Sequence, residues 1–471
     1  MKELKRENTN VSALPVKVLQ FGEGNFLRAF TDWMIDIMNK EGDYQHGIAV
    51  VQPINQGIVH MLKAQDGLYH HILRGLKDGQ PHTETRLIDA IQVAINPFEQ
   101  EAEYKALGVS EDLELVISNT TEAGIVFNEE DTLPERGLPI TFPGKVTLLL
   151  WERYQHYQGA EDKGLSFIPV ELIDKNGQKL KEAILQYAEL WALPAEFVAW
   201  VEHHNYFANT LVDRIVPGYP KDEIAEIQAS VGFQDNLVVA SEIFHLWVME
   251  APAKIQEQFP ADKYGLNVIY TDNQAPYRTR KVRVLNGAHT SMVPVGLLHG
   301  IETVMDTVED DKVGAFVQQI IYDEILPTID LPADELSEFA GQVIERFKNP
   351  FIRHELKSIS LNSIPKFKVR VLPTILDYID RKGELPAGLV TAFSYLIALY
   401  LSADFEIKDD QNVMDFFHEL RKEKASESAI VERVLGQVEF WDQDLNQIAG
   451  LPTKMIEVLT AVNAGKTIDQ L

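Results

Sequence analysis

Three polar side chains stand at helical spacing in the segment Lys281-Val-Arg-Val-Leu-Asn286-Gly-Ala-His289. On an α-helix they fall within an arc of about 140°, with His289 between the other two. One face then presents an amine, an amide and an imidazole to a single small molecule, while Val282, Val284 and Leu285 turn to a core. Each type has a use in interconverting a secondary alcohol and a ketone. Hydride moves at carbon only as a proton moves at oxygen, and a lysine whose pKa is lowered by burial and neighbouring cations handles that proton near neutral pH. The N–H groups of an asparagine stabilise the alkoxide-like oxygen that develops, and a histidine fixes a neighbouring hydroxyl. The same spacing also suits a plain helix with an exposed lysine, a capping asparagine and a core histidine.

Hydride chemistry needs a carrier, and one turn has the form of a cradle for it. Val16–Phe21 reads as a short buried strand that runs into Gly22-Glu23-Gly24-Asn25. Apolar residues at Phe26, Phe30, Trp33, Met34, Ile37 and Met38 then repeat with a period near 3.6, which predicts one continuous helix. In a strand–turn–helix of this kind the first glycine allows a tight turn and the second lets a pyrophosphate approach the backbone. Free N–H groups at the helix start hold the phosphate oxygens, and Arg28 is placed to add a cation. Two parts of the dinucleotide fingerprint are missing. The third glycine position is Leu27, and the strand ending at Val51 is followed by Gln52-Pro53 rather than by an acid for the ribose hydroxyls. A bare G-x-G also occurs in structural turns, and the spacing does not separate NAD from NADP.

These groups need a scaffold. Gly47–Gln52, Leu113–Ser118 and Ser166–Ile173 read as further short strands alternating with helical patterns, as βαβ units do. From about Tyr277 onward helices dominate: Lys281–Leu298, Lys312–Ile325, Ala333–Lys348, Leu372–Arg381 and an apolar helix within Leu385–Ala403. The expected architecture is α/β, an open, mostly parallel sheet domain over residues 1–270 followed by an all-helical domain over 271–471. At 471 residues the chain is long enough for two domains.

Bulk properties narrow the function. The formal charge of −28 repels phosphate backbones and anionic membrane surfaces, so neither nucleic acid nor membrane is an expected partner. It also makes any clustered lysine and arginine facing an anionic ligand worth explaining. With no cysteine there is no thiol nucleophile, disulfide or iron–sulfur cluster. No metal site is expected: His70-His71 and His203-His204 are adjacent pairs that cannot both face one ion from a regular element, and no H-E-x-x-H occurs. Met1–Pro15 lacks an apolar h-region, so a cytoplasmic location is expected. The uncharged Leu385–Ala403 stretch contains Pro386, Gly388 and two tyrosines and reads as a buried helix, not a membrane span.

Several motifs in collinear order resemble the polyol-specific long-chain dehydrogenases, the mannitol dehydrogenase family. They are Ala275–Thr290 with its Lys281, Asn286 and His289; Phe207-Ala-Asn209-Thr-Leu-Val-Asp213-Arg214-Ile-Val-Pro217; and, more weakly, Thr121-Glu122-Ala-Gly124 and Glu242–Val248. The resemblance runs from about Val16 to at least Thr374. It implies an N-terminal Rossmann-type domain, a helical C-terminal domain, and NAD chemistry without zinc in the cleft between them. Carried over by motif, Lys281 is the general acid/base, Asn209 and Asn286 stabilise the reacting oxygen, and His289 binds substrate. Leu19-Gln20-Phe21-Gly22-Glu23-Gly24-Asn25-Phe26-Leu27-Arg28-Ala29 frames the NAD pyrophosphate. That run resembles one sugar-acid branch of the family, whereas mannitol dehydrogenases and fructuronate reductases usually carry a Gly-Phe-His-Arg type turn there. The implied substrate is a small sugar acid. Alternatives are fructuronate or a neutral hexitol, or a cofactor-binding sensor without turnover, although a sensor has no need of Lys281 and Asn286. In the Arg346–Ile352 region the family pattern leads to an Arg and then a Lys in the substrate pocket; here those positions are Ser358 and Lys366. Lys366, with Arg370 nearby, is the expected contact for a substrate carboxylate; the alternative is a pair of solvated charges on a helix end. Oligomeric state is not legible in the sequence.

Overall fold

The computed structural model describes residues 1–471 apart from Asp78 and Glu122. Glu122, part of one weaker motif above, thus lies outside the described residues. The chain forms two compact units, Met1–Arg74 with His82–Gln274, and Gly75–Pro81 with Ala275–Leu471.

In the first unit, six strands form the central sheet: β1 (Val16–Phe21), β2 (Gly47–Val51), β3 (Ile91–Ile95), β4 (Leu115–Ser118), β5 (Ser166–Pro169) and β6 (Tyr206–Phe207). Their order is β3-β2-β1-β4-β5-β6 and every pairing is parallel. Parallel strands covered on both faces are apolar throughout, and β2 and β4 are buried at every position. Leu19 and Phe21 pack with Tyr104, Phe142 and Val146 in one core, while Val18, Ile48 and Ile117 join Phe30 and Met34 in another. The strand order reverses direction between β1 and β4, which makes the crevice beyond their carboxyl ends the topological switch point. This is the Rossmann-type arrangement.

The single helix expected after the glycine turn is two: α1 (Asn25–Arg28) and α2 (Thr31–Glu41), broken at Phe30 with φ −128° and ψ −78°. The cause lies in the Arg28 carbonyl, which accepts the Tyr69 hydroxyl at 2.7 Å. Apolar periodicity survives the break because both helices lie on the same core.

Behind the break, Asp32 is fully buried among Thr31, Tyr69 and Arg28. Burial pushes its carboxyl up to about 7, against the hydrogen bonds of Thr31, Gln20 and Tyr69 and the charge of Arg28. Tyr69 has one proton and donates it to Arg28, so its longer 3.3 Å contact with Asp32 is best met by a protonated acid.

A second sheet in this unit consists of β7 (Asn209–Asp213), β8 (Leu246–Glu250) and β9 (Val268–Thr271), antiparallel then parallel. Helix α3 (Asn176–Leu190) begins beside it. The buried Asn176 amide accepts the Thr210 N–H at 2.8 Å and donates to the Pro169 and Glu171 carbonyls, which pins the start of β7. Gly177 is required there, since a Cβ would sit 2.1 Å from the Ala208 carbonyl oxygen.

The second unit is helical. A continuous helical run consists of α4 (Ala275–Arg280), a π-helical segment Lys281–Gly287 and α5 (Ala288–Leu298). It is followed by α6 (Ala333–Phe347), α7 (Ser363–Arg370) and α8 (Ala387–Leu401). The expected Lys312–Ile325 helix is likewise half α, Val313–Gln319, and half π, Ile320–Ile325. Helix α8 has 15 residues, nearly all buried, so about 22 Å of apolar helix serves as core. Its first N–H groups, at Gly388 and Leu389, donate to the Glu324 carboxylate at 2.7 and 2.8 Å, which satisfies a buried helix start. Among the described residues no helix is long and apolar enough to cross a membrane.

A folded-state pKa above the unfolded value means that Asp32 favours folding below about pH 4 and loses that contribution as pH rises toward 7. Urea unfolding at pH 5 and pH 7.5 should therefore show a smaller loss in Asp32→Asn than in the parent, by roughly 2 kcal/mol. Equal losses in both proteins would contradict this account of the network.

Candidate active site

Strand β1 ends at Phe21, and the next residue, Gly22, takes φ +120°. The Gly22 N–H donates to Val51 O at 3.1 Å, and Phe21 O accepts the Asn119 N–H at 3.0 Å, so the turn is tied to β2 and to the end of β4. A Cβ at Gly22 would stand 3.0 Å from the Asn119 carbonyl oxygen and 3.1 Å from Leu27 Cδ1. The Gln20 amide, buried beneath, donates to the Gly22 carbonyl at 3.1 Å and faces the Thr31 hydroxyl at 3.3 Å. Gly24 is the N-cap of α1 and supplies no side-chain cap, and a Cβ there would meet nothing within 4 Å. The amides of the first turn therefore stay available to an outside acceptor, with open space over Gly24. That fits an anionic group such as a dinucleotide pyrophosphate at the switch point.

Within the run Leu19–Ala29, Gly24 and Asn25 are exposed and Phe26 is half-buried, while Leu19, Gln20, Phe21, Gly22, Glu23, Leu27, Arg28 and Ala29 are buried and frame the turn from below. The role expected for Arg28 is corrected here. Its guanidinium donates to Glu23 O, Leu237 O and Asn25 Oδ1 at 3.2, 2.5 and 2.6 Å and lies over the Tyr69 ring. Each nitrogen holds one of the protein's own acceptors and the side chain is buried, so Arg28 braces the turn from within. Leu27 replaces the third glycine by packing against Gly22. Gln52, where an acid for the ribose is usual, donates to Ile54 O and accepts the Val59 N–H and so serves its own loop.

Asn209 opens β7 opposite Glu250 of β8. Its Oδ1 accepts the Gln178 N–H of α3 at 3.0 Å, and its Nδ2 donates to Glu250 Oε1 at 3.2 Å.

In the second unit, Lys281 and Asn286 lie within the π segment, and this changes the expected geometry. An α-helix separates residues five apart by about 140°. A helix closed by i→i+5 bonds stacks them one turn apart on one face. Lys281 and Asn286 are such a pair, both half-exposed. The Asn286 side chain has no hydrogen-bond partner among the described residues. Gly287 lets the Arg370 carbonyl of α7 come close, 3.1 Å from where a Cβ would stand.

His289 packs its ring on Phe347 at 4.4 Å and edge-on to His354 at 5.0 Å. Burial, then the nearby His354, Arg346 and Arg370, hold the imidazole well below its ordinary pKa. A neutral ring results, and its Nε2 is buried without a partner among the described residues. Such an atom needs a donor or acceptor from a ligand or water. Lys366 and Arg370 sit one turn apart on α7, and burial lowers the pKa of both. They differ in one respect. Lys366 Nζ donates to Ile359 O at 2.9 Å, whereas the half-buried Arg370 guanidinium has no partner among the described residues. The second unit thus gathers two histidines, His289 and His354, with two cations, Arg346 and Arg370, in an acidic protein. The sequence did not connect either Arg346, in the last turn of α6, or His354 with His289, because both lie well over fifty residues from it. Among the described residues no group of three or more His, Asp or Glu is placed to hold a metal ion.

A parallel sheet in this order with a glycine cradle at its switch point, joined to a helical unit carrying Lys, Asn and His, defines an oxidoreductase of the secondary-alcohol class. The chain belongs to the mannitol dehydrogenase family: residues 16–262 match the model of the mannitol dehydrogenase Rossmann domain and residues 273–463 that of the mannitol dehydrogenase C-terminal domain. It is 47% identical over 450 residues to altronate oxidoreductase of Bacillus subtilis, covering 95% of this chain and 93% of that one. It is 44% identical over 457 residues to altronate oxidoreductase of Bacteroides thetaiotaomicron, covering 96% and 95%. The fold is shared with Pseudomonas fluorescens mannitol 2-dehydrogenase, solved with NAD and D-mannitol, at TM-score 0.67 and 20% identity over 98% of this chain and 97% of that one. It is shared also with a D-sorbitol dehydrogenase, at TM-score 0.79 and 22% identity over 96% and 94%.

The two glycines of the cradle should respond differently to a methyl group. Gly22→Ala meets a backbone oxygen at a positive φ and should lower stability by about 1 to 3 kcal/mol. Gly24→Ala has φ −68° and open space, so its melting temperature should match the parent while NADH affinity falls about tenfold. Unchanged NADH affinity in a well-folded Gly24→Ala would remove the cradle from that site.

Proposed function

We propose that this chain reduces tagaturonate to altronate with NADH, and oxidises altronate with NAD in reverse, as a step in hexuronate breakdown. The observation that carries this reading is the identity to altronate oxidoreductases along almost the whole chain. It is supported by a cation, Arg370, that has no partner among the described residues and is of the kind a sugar acid needs and a neutral hexitol does not. Residues 1–270 hold the cofactor and residues 271–471 the substrate, in the cytoplasm, with neither nucleic acid nor membrane as partner and without a metal ion.

Bound NADH supplies the hydride to the ketone carbon, and NAD accepts it in the opposite direction. Gly22 and Gly24 keep the turn low enough, and its amides open enough, to seat the pyrophosphate. Lys281 Nζ gives a proton to the carbonyl oxygen as the carbon is reduced and takes it back from the hydroxyl on oxidation, so the charge on that oxygen never develops fully. Asn286, stacked one helical turn from Lys281, donates an amide N–H to the same oxygen, as does Asn209. His289, neutral and with an orphaned Nε2, binds a neighbouring hydroxyl. Arg370 holds the carboxylate, where the planar guanidinium suits two oxygens at once. Lys366, anchored to the Ile359 carbonyl, adds charge nearby.

NADH consumption with tagaturonate tests the reading. Lys281→Ala should lose about 10³-fold or more in kcat while its NADH dissociation constant stays within about threefold. Activity near the parent's would sink the assignment of the acid. For the carboxylate, Arg370→Ala should raise KM for altronate about tenfold or more. KM for an uncharged polyol analogue should stay within about twofold, and Lys366→Ala should have the smaller effect. Equal losses on both substrates would contradict carboxylate recognition, and a larger effect at Lys366 would move that role to it.

A further inference from the structure

The partners of the Asn209 amide fix its orientation. A backbone N–H can only donate, so the atom facing the Gln178 N–H at 3.0 Å is the oxygen. A carboxylate can only accept, so the atom facing Glu250 at 3.2 Å is the nitrogen. Two of the amide's positions are thereby taken, and a single N–H remains free to turn to a ligand. The carboxylate that fixes it is itself fixed, because its second oxygen accepts the Gln274 N–H at 3.0 Å. Gln274 is the residue directly before α4, and its backbone cannot swing as a side chain would. Cross-strand pairing of Asn209 with Glu250 keeps the two side chains on one face of the sheet. On the other side, Asn176 and Gly177 hold the backbone of Ala208 and Thr210 against α3.

We propose that Glu250 is a positioning residue for Asn209: its carboxylate decides which N–H of the amide is presented to the reacting oxygen. The inference rests on the role given to Asn209 above. Without the carboxylate, the amide keeps only the Gln178 contact and pivots about it, and a donor that must meet a developing charge loses its direction. Glu250 touches neither substrate nor cofactor in this reading, so its removal acts on turnover through Asn209 alone.

A double-mutant cycle reads this directly. Steady-state kcat for tagaturonate reduction is measured in Glu250→Gln, Asn209→Ala and the double variant, beside the NADH dissociation constant and the melting temperature. The glutamine variant has the size of the parent side chain and keeps one oxygen for the Gln274 N–H, so the fold is maintained. Each single variant should lose about tenfold or more in kcat with NADH affinity within about twofold. The double variant should be no slower than Asn209→Ala. Losses that multiply in the double variant would overturn the proposal, as would parental kcat in Glu250→Gln. A lowered melting temperature with unchanged kcat would make Glu250 purely structural. If Asn209→Ala itself turns over like the parent, the role of Asn209 fails, and the proposal falls with it for a distinguishable reason.

Discussion

The backbone at Gly22 has to leave β1 beneath the carbonyl of Asn119, with barely 3 Å for anything attached to its Cα. The remainder of the first unit accommodates that constraint. Parallel strands on both sides place the turn at the point where the sheet reverses order. Gln20, Leu27, Arg28 and Tyr69 then support the turn from within. The outcome is a rigid floor whose exposed part is small: Gly24, Asn25 and part of Phe26. Rigidity at that floor matters, because a cofactor held by backbone amides is only as well placed as the backbone itself.

In the helical unit the problem is electrostatic. A chain with a charge of −28 that takes NAD as its cofactor needs local positive charge. Around His289 the nearby charged groups are cationic: Arg346 and Arg370, with His354 beside them. Burial first, and then their field, hold the imidazole well below its ordinary pKa, so the neutral ring is both a donor and an acceptor. The π segment contributes by geometry, since one extra residue in the turn brings an amine and an amide into line.

Much of the fold was legible because it depends on burial. Apolar runs at β1, β2 and β4 and the helical pattern after Tyr277 follow directly from which side chains avoid water. What escaped was set by single hydrogen bonds. The break at Phe30 depends on a tyrosine hydroxyl forty-one residues away from Arg28, and periodicity does not register it. The π segment keeps an apolar pattern close to that of an α-helix, so the closer alignment of Lys281 with Asn286, beyond the arc of about 140° that α-helical spacing gives, could not be read from the sequence. Arg28 looked like a phosphate ligand because charge and position suggested it, yet its partners are carbonyls brought together only by the fold. Arg370 stood out in the reverse way, through the lack of any partner among the described residues.

The central claim is a reaction at one carbon of a sugar acid, and isotope transfer reads it most directly. Tagaturonate is incubated with the protein and NADH carrying deuterium at the transferable position of the nicotinamide ring, and the product is examined by NMR. The account predicts altronate with deuterium bound at the former ketone carbon. Altronate that forms without deuterium at that carbon, or unchanged tagaturonate with a folded protein that binds NADH, would contradict it.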